Sequence, residues 1–296
     1  MLDFIENKSI KARRHRSTKN QVTARRDALL NIVSEIKPAT VRQVFYQASV
    51  HGIVEKTEAG YAKVQTDLTL LRRSGALPYD CLADNTRWHR KPETFSSARH
   101  AVLAAAQWYR KSLWDNVGAR VEIWLEKDAL SGVIYPVTEE FDVPLMVTRG
   151  YASLSFLHSA AESIAKSDVP THIYHLGDYD PSGVNAAHKV EQTLRELAPH
   201  ADIHFERIGV TEQQIREWKL PSRPTKSSDT RARSFGSNVS VELDAIEPEV
   251  LRALVRVYVE RHITRNHIAA MRTVEEAERK AMLDFATKFL NGEPRP

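Results

Sequence analysis

Apolar positions recur at helical spacing from Asn20 to Ile36 (Val22, Leu29, Leu30, Ile32, Val33, Ile36), and Pro38 ends the run. A second helix is predicted from Thr40 through TVRQVFYQASVHG, closing at Gly52, and a third over GYAKVQTDLTLLRRSG, closing at Gly75. Two helices joined by a short turn, followed by LPYDCLADNTRW as a hairpin, make a winged helix-turn-helix. In that arrangement the later helix faces a DNA groove, with Lys63, Arg72 and Arg73 beside a Val64/Leu68/Leu71 stripe. A small helical domain without a ligand fits the same pattern. A helix from about Ser96 to Trp114 links this module to the rest of the chain.

Beyond that helix the period changes. ARVEIWLE alternates as a strand, a helix covers about Ala129–Phe141, PLMVT is a short apolar strand, and SLSFLHSAAESIAKS is a helix. THIYHLGD is a third strand, a helix runs from Pro181 to about Leu197, and ADIHFERIG is a fourth strand. Strands alternating with helices predict an α/β unit with a parallel sheet. The Pro-, Ser- and Arg-rich stretch Trp218–Ser240 reads as an ordered loop or insertion. Two C-terminal helices are predicted over about Glu249–His262 and Val274–Leu290, the second opened by a capping box from Thr273 to Glu276 and carrying a Glu276–Lys280 pair. The expected divisions are a basic arm (1–19), a winged-helix domain (20–95), a linking helix (96–117) and an α/β domain with a C-terminal helical extension (118–296).

Composition narrows the class. A chain of 296 residues suits two domains, and 27% charged with 42% hydrophobic residues excludes a disordered or low-complexity chain. One cysteine, Cys81, excludes an intramolecular disulfide, argues against a cysteine zinc site and suits a reducing compartment. No apolar run is long enough for a membrane span or a signal peptide, so a soluble, cytoplasmic, nucleoid-associated protein with no membrane partner is expected. Net charge is only +4, yet residues 1–26 hold eight Lys and Arg, Arg13, Arg14 and Arg16 among them. Such an arm either neutralises phosphates or is a solvated tail, and charge alone leaves both open.

Acids mark the strand ends. Glu126 closes the first α/β strand in WLEKD, and Asp178 and Asp180 close the third in HLGDYDPSG. If those strands are neighbours, three carboxylates converge where open α/β sheets bind ligands, and hard oxygen donors of this kind suit Mg²⁺. Asp180 taken alone reads as a helix cap ahead of Pro181. His172 and His175 read as structural, and Glu242 and Asp244 in VELDAI read as a solvated strand edge, with further site acids as the alternative.

The pairing of LEKDAL with GDYDPSG resembles a Toprim domain, and a winged helix ahead of it is similar in order to the A subunit of type IIB topoisomerases. That family includes the topoisomerase VI A subunit, its meiotic double-strand-break relative and short stand-alone mini-A versions. The likeness covers most of residues 38–210. It implies a Toprim-type parallel sheet flanked by helices, with Mg²⁺ held by Glu126, Asp178 and Asp180. The family's Arg-x-x-Tyr-Tyr pattern is matched by Arg42-Gln43-Val44-Phe45-Tyr46, with Phe45 at the first aromatic position. The resemblance makes Tyr46 the nucleophile that becomes linked to a DNA 5′ phosphate. On the helical wheel Arg42 and Tyr46 lie off the Val41/Val44/Phe45/Ala48 face, so Tyr46 need not be core and Arg42 can grip the attacked phosphate. The family's acidic segment after the second strand is replaced by TRGYASLSFL, which offers Arg149 but no acid. No P-loop is present, so ATP-driven strand passage would need a separate B-type ATPase subunit.

The expected function is Mg²⁺-dependent double-strand DNA cleavage by a homodimer through tyrosine transesterification. One rival is a Toprim nuclease in which water attacks. Another is a non-catalytic winged-helix DNA-binding protein whose α/β domain only dimerises.

Overall fold

The computed structural model describes residues 18–82, 93–225 and 235–289. Helix α1 (Lys19–Ile36) opens on a capping box at Thr18, and α2 (Val41–Val50) opens on another at Thr40, whose hydroxyl accepts from the Gln43 amide. Helix α3 (Glu58–Arg73) follows, capped by Thr57. The apolar stripes of the three helices meet in one core of Leu29, Val33, Val44, Phe45, Val64 and Leu68. Asp67 is buried among them and is held by Arg25 at 2.6 Å and Arg26 at 2.9 Å. Two cations at the edge of the basic arm thus neutralise an internal carboxylate.

The expected hairpin after α3 does not form in its described part. Residues Tyr79–Cys81 make a 3-10 turn, and Leu82 joins Ala39 through a single parallel bridge. Residues 83–92, which carry the rest of the expected wing, lie outside the described residues, as do Arg13, Arg14 and Arg16.

Helix α4 (Ala98–Trp108) is shorter than the expected linking helix, because the chain extends at Tyr109. A four-stranded parallel sheet then forms from β1 (Arg120–Leu125), β2 (Leu145–Val147), β3 (Thr171–Leu176) and β4 (Ile203–Gly209), in the order β2-β1-β3-β4. Helices α5 (Ser131–Glu140), α6 (Leu154–Ala165) and α7 (Pro181–Leu197) alternate with the strands. Val121, Ile123, Leu125 and Leu176 pack with Val133 and Val137 of α5 on one face. Trp124 and Ile173 pack with Leu157 of α6 and Val190 of α7 on the other. Both faces are covered, which is why these strands read as near-continuous apolar runs.

After β4 come a short helix α8 (Glu212–Glu217), which the sequence pattern did not reveal, and a two-stranded antiparallel ribbon of β5 (Arg223–Pro224) and β6 (Val239–Ser240). The ribbon replaces part of the expected loop. Helix α9 (Pro248–Val259) packs against α5. Helix α10 (Arg265–Phe289) begins nine residues before the predicted start. Thr273 is therefore mid-helix, its hydroxyl donating to the Ala269 carbonyl, and Thr264 caps the helix by accepting from the His267 amide. The capping box at Thr273 is overturned because the TxxE spacing also occurs inside a continuous helix. Among the described residues no helix is long and apolar enough to cross a membrane.

Candidate active site

Strands β1 and β3 are neighbours in register, with Leu125 opposite Leu176. The chain leaves β1 toward β2 on one side and leaves β3 toward β4 on the other, so the crevice beyond their carboxyl ends is the topological switch point of the sheet. Glu126 follows β1 directly and Asp178 follows β3 after one glycine. Glu126 Oε2 accepts from the Asp178 amide at 2.9 Å. The close approach depends on two glycines: a Cβ on Gly177 would lie 2.5 Å from Glu126 Oε2, and one on Gly183 would lie 2.4 Å from the Asp178 carbonyl oxygen. Burial raises the Glu126 carboxyl above its usual range, and the Asp178 charge raises it further. Asp180 takes the capping role, its Oδ1 accepting from the Gly183 amide at 2.8 Å ahead of Pro181.

Behind these acids lies Arg207 of β4, which composition and spacing gave no reason to single out. Its guanidinium donates to the Gly177 carbonyl at 2.8 Å, to the Asp178 carbonyl, and to the Gly183 carbonyl at 3.3 Å. One side chain thus holds the loop that carries both aspartates. Arg207 is a half-buried neighbour-strand residue, and only the pairing of β3 with β4 brings it there.

The segment Val241–Asp244 overturns its expected reading. Val241 pairs with Tyr179 in an antiparallel bridge, and the Leu243 amide donates to Asp178 Oδ1 at 2.7 Å. Asp244 is only 2% exposed. Glu242 at the head of the 3-10 turn Leu243–Ala245 and Asp244 within it both reach Lys127. The Lys127 ammonium lies 2.6 Å from Asp244 Oδ2, 3.0 Å from Asp178 Oδ1 and 3.5 Å from Glu242 Oε2. Burial alone would lower the Lys127 pKa, but the charges of Asp244, Asp178 and Glu242 outweigh it and raise it. Burial keeps Asp178 above the ordinary carboxylate range against the pull of Lys127. Glu242 is lowered instead, since Lys127 and Arg42 overcome its burial.

The helical module closes the site from above. Arg42 of α2 meets Glu242 at 2.7 Å across 200 residues of sequence, and its guanidinium stands 5.5 Å from the centre of the Tyr61 ring. Tyr46, one turn on, lies off the module's own core yet is only 9% exposed. The wheel describes an isolated helix, whereas here the 3-10 turn Leu243–Ala245 packs on α2 and Lys56 covers the ring at 5.1 Å. Burial, then the charges of Glu242 and Asp244, push the Tyr46 phenol well above its usual value. Tyr46, Arg42, Lys56, Tyr61, Arg223 and Glu242 line a cleft of about 500 Å³. A second cleft, of about 620 Å³, shares Arg42 and Tyr61 and continues over Glu126, Lys127 and Arg149. Together they form a groove between the helical module and the acidic edge.

The remaining expected residues divide. Lys63 and Arg73 are exposed on α3. Arg72 is turned back onto its own module, donating to the Tyr79 carbonyl at 2.6 Å and lying over the Tyr79 ring. Arg149, in left-handed backbone at φ 56°, pairs with Asp128 at 2.9 Å. His175 is buried, and His172 stacks on His204 with ring centres 4.6 Å apart and meets the tilted ring of His262 at 4.1 Å.

Two hard carboxylates at the switch point, each raised by burial, have the donor chemistry for a divalent cation. Among the described residues, however, no three His, Cys, Asp or Glu side chains converge as a finished ligand cage, and an ammonium stands against Asp178. Neither a protein-family model nor a curated protein sequence matches this chain.

Proposed function

We propose that the chain is a Mg²⁺-dependent, homodimeric DNA-cleaving transesterase of the topoisomerase VI A-subunit type, with Tyr46 as nucleophile. The observation that carries this reading is the contact of Arg42 with Glu242, which joins the helix bearing Tyr46 to the acidic edge of the sheet. A nucleophile, an anion-binding guanidinium and a hard-acid cluster border one groove, and phosphoryl transfer needs those three parts.

In this reading Arg42 binds the phosphodiester and orients its phosphorus toward Tyr46. The Tyr46 oxygen forms a bond to phosphorus as the bond to the 3′ oxygen breaks, and the phenolic proton is balanced by protonation of the departing 3′ hydroxyl. Glu126 and Asp178, with Asp180 beside them, would hold Mg²⁺, which when bound stabilises charge on the phosphoryl and leaving oxygens. Because the Tyr46 phenol is raised, it is neutral at physiological pH, and the proton must leave during attack. Two chains related by a twofold axis would cut both strands.

Water-attack chemistry is favoured by one observation, the burial of Tyr46 beneath Lys56. Tyr46→Phe separates the two. It keeps the ring and removes the attacking oxygen, so under transesterification the unsubstituted chain becomes covalently attached to 5′ ends and the variant yields neither adduct nor break on a denaturing gel. Cleavage by the variant at the unsubstituted rate, with free 5′ phosphates, would establish water as the nucleophile.

A further inference from the structure

Glu242 is held in an unusual way for a carboxylate at the edge of a cleft. Arg42 reaches its Oε2 at 2.7 Å and Arg223 reaches its Oε1 at 3.0 Å, so two guanidiniums from different elements grip the two oxygens of one anion. Lys127 adds a third cation at 3.5 Å. Lys56 lines the same cleft, and its ammonium lies over the Tyr46 ring and donates to the Pro221 carbonyl at 3.4 Å. Among the described residues, Lys56 has no carboxylate partner. Of the two acids that line the cleft, only Glu242 touches a guanidinium, while Glu58 stands exposed at the start of α3.

A carboxylate and a phosphodiester share what such a cradle recognises, namely a single negative charge spread over two oxygens a short distance apart. Paired guanidiniums bind either group with charge-assisted hydrogen bonds. Lys127 would keep Asp244 and Asp178 if Glu242 left, so the sheet edge does not depend on Glu242 for its neutrality.

We propose that Arg42, Arg223 and Lys56 form the seat of a DNA phosphodiester, and that Glu242 occupies it as an internal stand-in which the incoming phosphate replaces. This deepens the DNA-cleaving reading by naming where the backbone lies against the wall formed by Tyr46. It also makes DNA binding a competition: each duplex that enters must displace a carboxylate already in place.

Binding of a short fluorescein-labelled duplex, followed by anisotropy across a salt series in EDTA, tests this without metal or cleavage. Glu242→Gln should tighten binding about tenfold and leave the log–log salt slope unchanged, because the same phosphate is seated without first displacing a carboxylate. Glu58→Gln removes the same charge from the same cleft without touching the cradle, and should give a clearly smaller gain. Adding Arg223→Gln to Glu242→Gln should abolish the gain. If Glu242→Gln binds no tighter than Glu58→Gln, or its gain survives loss of Arg223, the stand-in is refuted. Should Glu242→Gln fail to fold by circular dichroism, Arg223→Gln alone decides, since it must lower the slope by about 0.9 and an unchanged slope overturns the seat. Adduct formation is scored separately, so a chain that binds as expected but never links to DNA would sink the transesterase reading and leave the seat intact.

Discussion

Gly177 is the residue on which the acidic edge turns. It separates β3 from Asp178 and lets Glu126 lie where any side chain would collide, since an added Cβ would fall 2.5 Å from Glu126 Oε2 and 2.8 Å from His175 Cε1. Both neighbours are packed, so Gly177→Ala must displace one of them, at a cost of about 1–3 kcal/mol. Urea denaturation measures it, and a midpoint within error of the unsubstituted chain would show that the carboxylate can move aside freely. The same scale shows what the sequence could reveal. Glu126, Asp178 and Asp180 were legible because each ends a strand or opens a helix, and those positions follow from local pattern. Lys127 stood in plain view within EKD, but its task was not, because its three partners come from two other segments. Arg207 carried no local mark at all.

At the level of elements the helices and parallel strands followed hydrophobic period closely, while their ends depended on which of two similar caps is used. Thr264 and Thr273 both precede acceptable first turns. Only Thr264 accepts from a free amide, that of His267, whereas Thr273 donates to a carbonyl already bonded in the helix. Thr264→Ala should therefore cost about 1 kcal/mol and Thr273→Ala well under half of that. Equal losses in thermal melts would mean that α10 begins elsewhere. The ribbon of β5 and β6 escaped detection for a different reason. Two residues per strand carry no period, and their pairing joins segments separated by residues 225–238. Burial of Tyr46 escaped for a third, since a wheel drawn on α2 contains nothing of the turn at Leu243–Ala245.

For the molecule as a whole, acid should be destabilising through its histidines. Burial lowers His175 to about 3, and burial with the nearby His172 lowers His262 to about 4, both below the usual 6.5. A group depressed in the fold takes up its proton in the unfolded chain first, so the stability is complete above pH 6.5 and is lost as pH falls toward the folded value. For fully buried His175 the loss approaches about 1.4 kcal/mol per pH unit below pH 6, and for half-exposed His262 it is a fraction of that. The raised carboxyls of Glu126 and Asp178 act in the opposite sense. His175→Phe isolates the imidazole. The stability of the unsubstituted chain relative to this variant should shrink steadily from pH 6.5 to pH 4.5, and a difference that stays constant would show that His175 is protonated in the fold.

The pairing of α4 with α10 fixes a timetable for synthesis. Tyr109 bonds Glu278 across 169 residues, Arg279 donates back to the Tyr109 carbonyl at 2.8 Å, and the Lys111 amide donates to Glu275 at 2.8 Å. The three-helix module has its own core, built from residues 29–82. The stretch that connects it to the sheet, by contrast, has its partner in α10, which follows the entire sheet in the chain, so it must wait, uncovered, until the sheet has been translated. The helical core is thus available early, while the joint that sets it over the acids locks late.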